Sequence, residues 1–371
     1  MQYRRFGQTE LNLSVFSLGT MRGLGDRQAF QATVKTALAA GINHLETAPA
    51  YGNSEQYLGE ILKTYPRFEF YLTSKLCPTP DRQAFTQGLT DSLQRLQVDY
   101  LDCLAIHGIN TPDHWQWVQA LWPVLEQAKE QGLIRHLGFS THASLPLVTE
   151  VINSGRFEFV NLHYYWFNQH LAPAIALAHS WDMGIFIISP VDKGGQLHTP
   201  PDKLRELCQP FTPLELTYRF LLSDHRITTL SLGAANPAEL QEPLQYGDRL
   251  EPLSPEEQVI FQRLIDQQTA TLGSETCHQC YACLPCPEAI NIPEILRLRN
   301  LAIAYDMTRF GQYRYRMLEN AGHWFPGKRG DRCTDCGNCL PKCPHHLAIP
   351  DLLRDTHQRL QGRGRRRLWQ D

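Results

Sequence analysis

The chain has 371 residues, a formal net charge of −3, 42% hydrophobic and 20% charged residues. That length exceeds one ordinary compact core and fits a barrel of roughly 250 residues plus a smaller module. The near-neutral charge leaves no footprint for nucleic acid, and no apolar run reaches the roughly 18 residues that would argue for a membrane span. The basic start, Met1 to Arg5, is not followed by the apolar segment of a signal peptide, so a cytoplasmic location is expected. In that reducing compartment the 11 cysteines are not expected to pair as disulfides. One basic run, Arg363, Arg365, Arg366 and Arg367, reads as a solvated end, with docking of an acidic partner as the sharper alternative.

Residues 1–14 read as a short polar hairpin. Eight apolar runs follow, at 15–18, 42–46, 70–74, 101–107, 136–140, 159–162, 184–189 and 228–233, each a candidate strand. The amphipathic stretches between them, such as 26–40, 82–96 and 115–130, have the length of crossover helices. Gly41, Gly132 and Gly155 stand where a left-handed C-cap wants glycine. Eight successive β-then-α units predict an α/β protein built on a parallel (β/α)8 TIM barrel. A doubly wound sheet would carry a glycine-rich phosphate turn after its first strand, and Ser17-Leu18-Gly19-Thr20-Met21-Arg22-Gly23 is not one. The barrel helices are expected to end near Gln268. Residues 269–276, small and polar, read as a linker, dividing a barrel at 1–268 from a module at 269–371.

Catalysis in such barrels gathers at the C-terminal ends of the strands. The second strand ends in Glu46, with Tyr51 just beyond; the third ends in Lys75 and the fourth in His107. A phenol with a pKa of about 10 is a poor acid at neutral pH. A neighbouring ammonium lowers that value, a carboxylate keeps the lysine charged, and an imidazole orients a carbonyl. Together they form a general acid that protonates an oxygen as hydride reaches its carbon.

These residues, with Gly41-Ile42-Asn43 before the second strand and Leu137-Gly138-Phe139-Ser140 at the fifth, resemble the aldo-keto reductase family over about residues 1–265. The resemblance implies redox chemistry on a small carbonyl or alcohol with NAD(H) or NADP(H). Tyr51, Lys75 and His107 match the family's catalytic set, and Glu46 stands where the family has Asp. The candidate cofactor residues are Gly19, Thr20 and Met21, then Ser140, Thr141 and Asn161, then Ser189, and last Gly233, Ala234 and Asn236. Ile188-Ser189-Pro190 replaces the common Tyr-Ser-Pro. Ala235 and Glu239 lie where NADPH-specific relatives carry Lys or Arg, so little preference for NADPH is expected.

Cys77, Cys103 and Cys208 are scattered and read as small buried apolar residues. The other eight form two runs, Cys277-x2-Cys280-x2-Cys283-x2-Cys286-Pro287 and Cys333-x2-Cys336-x2-Cys339-x3-Cys343-Pro344. The second fits the bacterial ferredoxin run, in which the fourth cysteine ligates the other cluster. Applied to both runs, Cys277, Cys280, Cys283 and Cys343 hold one [4Fe–4S] cluster, and Cys333, Cys336, Cys339 and Cys286 the other. Zinc is the alternative, since four-cysteine zinc sites use separated C-x2-C pairs, but three cysteines at x2-x2 spacing before Cys-Pro form the iron–sulfur pattern. The stretch between the runs is helix-rich, with a helix at 293–305, as in α-helical dicluster ferredoxins. Trp324 and Phe325 either pack on the clusters or fill a small core.

The combination resembles the ferredoxin-containing branch of the aldo-keto reductase family. Two readings follow. The first is a nicotinamide oxidoreductase whose clusters relay electrons with an external ferredoxin or flavoprotein. The second is an iron–sulfur electron-transfer or docking protein with a degenerate barrel. A flavin is an option without a motif to support it.

Overall fold

The computed structural model describes residues 1–192 and 196–362; the basic run at 363–367 lies outside them. The chain forms two compact units. One comprises Met1–Pro190 with Tyr218–Pro252, and the other Val191–Thr217 with the chain from Leu253 onward. The division expected at 268/269 falls inside the helix Pro255–Leu272.

In the first unit β1 (Tyr3–Arg5) and β2 (Asn12–Ser14) form the expected antiparallel hairpin. Eight parallel strands then close a barrel: β3 (Phe16–Gly19), β4 (His44–Glu46), β5 (Tyr71–Leu76), β6 (Leu101–His107), β7 (Ile134–Ser140), β8 (Phe159–Leu162), β9 (Gly184–Ile187) and β10 (Thr229–Leu232). The strands run in sequence order and β10 pairs with both β9 and β3, as expected from the eight apolar runs. Helix Arg82–Leu96 has the expected bounds. Gly41, Gly132 and Gly155 take φ of +87°, +71° and +65°, the left-handed caps that a Cβ would strain.

The hairpin plugs the N-terminal end of the barrel. Phe6 and Leu13 are fully buried with Cys103, Ala105, Phe159 and Phe186. Phe6 lies so close to the start of β9 that a Cβ on Gly184 would come within 2.3 Å of its ring. With that end filled by side chains, the open chemistry is left to the C-terminal rim.

The second unit is helical. The Ser254 hydroxyl accepts from Glu257 N, and the Glu257 carboxylate accepts from Ser254 N at 2.8 Å, a capping box that starts helix Pro255–Leu272. The linker expected at 269–276 is therefore half helix. Its small polar residues do not end the helix, because Thr269 and Thr271 return their hydroxyls to carbonyls one turn back; Gly273, at φ +51°, does. Helix Ile292–Tyr305 has all but one of its residues buried and forms the centre of this unit. Its buried charges are paired: Arg297 with Glu294 at 2.7 Å and Arg299 with Asp355 at 2.7 Å, as burial requires. Among the described residues no helix is long and apolar enough to cross a membrane.

Candidate functional site

The rim of the barrel brings the four expected acid–base residues together. Lys75, on β5, is 2% exposed. Its ammonium is ion-paired with Glu46 Oε2 and donates to the Thr47 carbonyl at 3.2 Å and to the Tyr51 hydroxyl at 3.3 Å. The His107 ring stands edge-on to the Tyr51 ring, with centroids 5.7 Å apart. The Glu46 carbonyl accepts from both the amide and the hydroxyl of Thr20, at 3.0 and 2.9 Å, which ties β4 to the turn after β3.

The electrostatics differ from expectation in one respect. Burial drives the Tyr51 phenol up, Lys75 pulls it down and the Glu46 charge pushes it up, and the net direction is up rather than down. Burial of the phenol is the dominant cause, and the Glu46 charge adds to it against the pull of Lys75. For Lys75 itself burial opposes the charge, but Glu46 and Tyr51 outweigh it and hold the ammonium above its ordinary value. Both shifts favour a protonated phenol beside a charged ammonium.

The glutamate is accommodated by Ser231, which the sequence does not mark, and by Gly19, which the sequence offers only as a cofactor contact. Its second oxygen, Oε1, accepts from Ser231 Oγ at 2.8 Å. On the neighbouring strand β3 Gly19 leaves the necessary space, since a Cβ there would lie 2.5 Å from Ser231 Oγ and 2.8 Å from Glu46 Oε1. The available signal for Ser231 was alternation along β10, which turns Thr229 toward Ser17 inside the barrel at 2.8 Å and Ser231 inward with it.

The candidate cofactor residues divide into committed and uncommitted groups. Ser140 Oγ accepts from Gly108 N at 3.0 Å, and the Thr141 hydroxyl donates to the Ile109 carbonyl at 2.7 Å; both hold the loop after β6. Asn161, at the same level on β8, is fully buried, and neither its amide nitrogen nor its amide oxygen has a hydrogen-bond partner. His107, Ser140 and Asn161 form one row across β6, β7 and β8. Met21 is 37% exposed at the rim, and Ser189 adopts φ +52°. Ala234 is buried, and Asn236 Oδ1 accepts from Glu239 N at 3.3 Å. Glu239 is held by Arg22, which reaches it with both terminal nitrogens and also donates to the Gly233 carbonyl. Cys103 and Cys208 are buried as expected, but Cys77 is exposed, because it lies one residue beyond the end of β5.

In the second unit the eight grouped cysteines line two separate hollows. Cys277, Cys280, Cys283 and Cys343 face one, and Cys286, Cys333, Cys336 and Cys339 face the other. Each hollow draws its last thiol from the opposite run. Ile292, at the start of the central helix, lines both. The thiols do not converge on a point: among the described residues no three His, Cys, Asp or Glu side chains are placed to hold a single metal ion. Trp324 and Phe325 line neither hollow. Phe325 packs under the Arg314 guanidinium at 4.1 Å and Trp324 beside His323 at 4.6 Å.

A closed parallel barrel with acid–base groups at its C-terminal rim places the first unit among the (β/α)8 enzymes. The chain belongs to the aldo/keto reductase family, whose model matches residues 16–266, and a 4Fe-4S dicluster domain matches residues 276–348. It is an oxidoreductase of aldo-keto reductase type carrying an iron–sulfur domain. A Yersinia pestis protein named methylglyoxal reductase DkgA is 30% identical over 61% of this chain and 82% of its own. L-galactose dehydrogenase of Arabidopsis thaliana is 24% identical over 70% of this chain and 92% of its own. Among solved structures, the holo form of an aldo-keto reductase from Bacillus halodurans is similar with a TM-score of 0.63, 23% identity, and coverage of 71% of this chain and 96% of that one.

Proposed function

We propose that the barrel reduces small carbonyl compounds with a nicotinamide cofactor, using Tyr51 as proton donor, and that the second unit carries two [4Fe–4S] clusters. The observation that carries the first part is the continuous contact from Glu46 through Lys75 to Tyr51, with His107 against the phenol. The unpaired amide of Asn161 fits a ligand with both a donor and an acceptor, as a carboxamide has. A bound nicotinamide supplies hydride to the carbonyl carbon. Tyr51 delivers the proton to the carbonyl oxygen, Lys75 stabilises the phenolate left behind, and His107 orients the oxygen toward the phenol. Glu46 keeps Lys75 in place. An intact contact of this kind favours catalysis over a degenerate barrel. Titrating the protein with NADH and NADPH, followed by reduction of methylglyoxal as a probe, tests this reading; binding of neither nucleotide would refute it.

For the second unit, eight thiols facing two hollows fit two cubanes, with Cys277, Cys280, Cys283 and Cys343 ligating one and Cys286, Cys333, Cys336 and Cys339 the other. Such clusters carry electrons singly, whereas a nicotinamide gives up two as a hydride. The clusters therefore exchange electrons with an external ferredoxin or flavoprotein. NADH added anaerobically to flavin-free protein should leave the visible cluster absorption unbleached over minutes, and rapid bleaching would overturn this.

The nucleotide preference follows from Arg22. The rim after the seventh and eighth strands of such barrels often binds phosphate, and among the described residues Arg22 reaches into it, donating to the Gly233 carbonyl and to Glu239. Its guanidinium is engaged by Glu239, so a 2′-phosphate must displace a carboxylate to reach it. NADH and NADPH should bind within about tenfold of each other, an energy difference of about 1.4 kcal/mol. NADPH binding a hundredfold tighter would mean that Arg22 leaves Glu239 readily.

A further inference from the structure

We infer that Ser231 is a positioning residue for proton donation: it holds one oxygen of Glu46, in space left by Gly19, so that the other oxygen stays on Lys75. The inference rests on the reading of Tyr51 as proton donor. The three residues come from neighbouring strands of the closed barrel, β10, β3 and β4. Gly19 is in register with Glu46. Ser231 donates to Oε1, while Lys75 takes Oε2. A glutamate has one more rotatable bond than an aspartate, and an unheld carboxylate would exchange among rotamers. The Ser231 hydroxyl removes that freedom, and the Thr20 contacts pin the Glu46 backbone from below. An aspartate at 46, shorter by one bond of about 1.5 Å, cannot span Lys75 and Ser231 together. The larger carboxylate is thus part of a matched set rather than a damaged version of a smaller one.

The test is a double-mutant cycle of Ser231→Ala and Glu46→Asp in the full-length holoprotein, read with NADH and methylglyoxal. Ser231→Ala alone should lower kcat about tenfold with KM little changed, and Glu46→Asp should lower rather than raise it. In the Glu46→Asp background, Ser231→Ala should cost less than about twofold, because contacting residues couple and independent ones add. Ser231→Thr, which keeps the hydroxyl, should retain most of the rate. Equal losses in both backgrounds, or a gain from Glu46→Asp, would overturn the inference. The same four proteins are melted in parallel. A non-additive change in Tm supports the held carboxylate even if the wild type reduces no carbonyl, a result that would remove the functional reading alone. Additive Tm changes overturn the contact itself.

Discussion

Replacing Tyr51 with phenylalanine should lower kcat for carbonyl reduction by about 10² to 10⁴, the usual weight of a positioned general acid. The substitution removes one oxygen whose hydrogen bond is to Lys75 and leaves the ring against His107. Folding and nucleotide binding should therefore survive, and NADH affinity measured by fluorescence should stay within about twofold of the wild type. A phenol held high by burial is protonated throughout the neutral range, so the loss should appear equally at pH 6 and pH 8. An unchanged rate would remove Tyr51 from the chemistry. A rate lost together with nucleotide binding would point to a packing role instead.

Replacing Cys343 with alanine should halve the iron of anaerobically purified protein, from about eight atoms per chain to about four. The thiol belongs to the second run but faces the hollow of Cys277, Cys280 and Cys283. Its loss should therefore abolish the same electron paramagnetic resonance signal as Cys280→Ala, whereas Cys336→Ala abolishes the other. If Cys343→Ala and Cys336→Ala remove the same signal, each run holds its own cluster and the exchanged ligation is wrong. Stoichiometric zinc in place of iron would dispose of the clusters altogether.

The barrel was legible because each strand is a short buried run closed by a turn, and these are local properties. The acid–base set was legible for a related reason: three of its members end consecutive strands, so chain order and position on the rim coincide. What escaped was long-range. Ser231 meets Glu46 across 185 residues of sequence, and nothing near either residue announces the other. Arg22 and Glu239 are likewise brought together only when the last strand closes on the first. The Tyr51 phenol is expected from sequence to be lowered by its lysine; burial and the Glu46 charge raise it instead, and the depth of the phenol is not readable along the chain. The supposed linker failed differently. Small polar residues suit an exposed helical face as well as a loop, and the stop signal was the single glycine after them.

The shared lining of the two hollows has a consequence for how the protein is made. As the chain leaves the ribosome, the whole family-matched barrel segment, residues 16–266, emerges before any grouped cysteine. The first run then emerges with three thiols of one hollow and one of the other. Neither set is complete until the second run follows: one closes with Cys339 and the other with Cys343, four residues apart. A nascent chain stalled at residue 332 would offer four thiols and no finished pocket. Neither hollow can therefore have its full set of thiols before the second run has been made, and a chain ending before residue 333 would lack both sets.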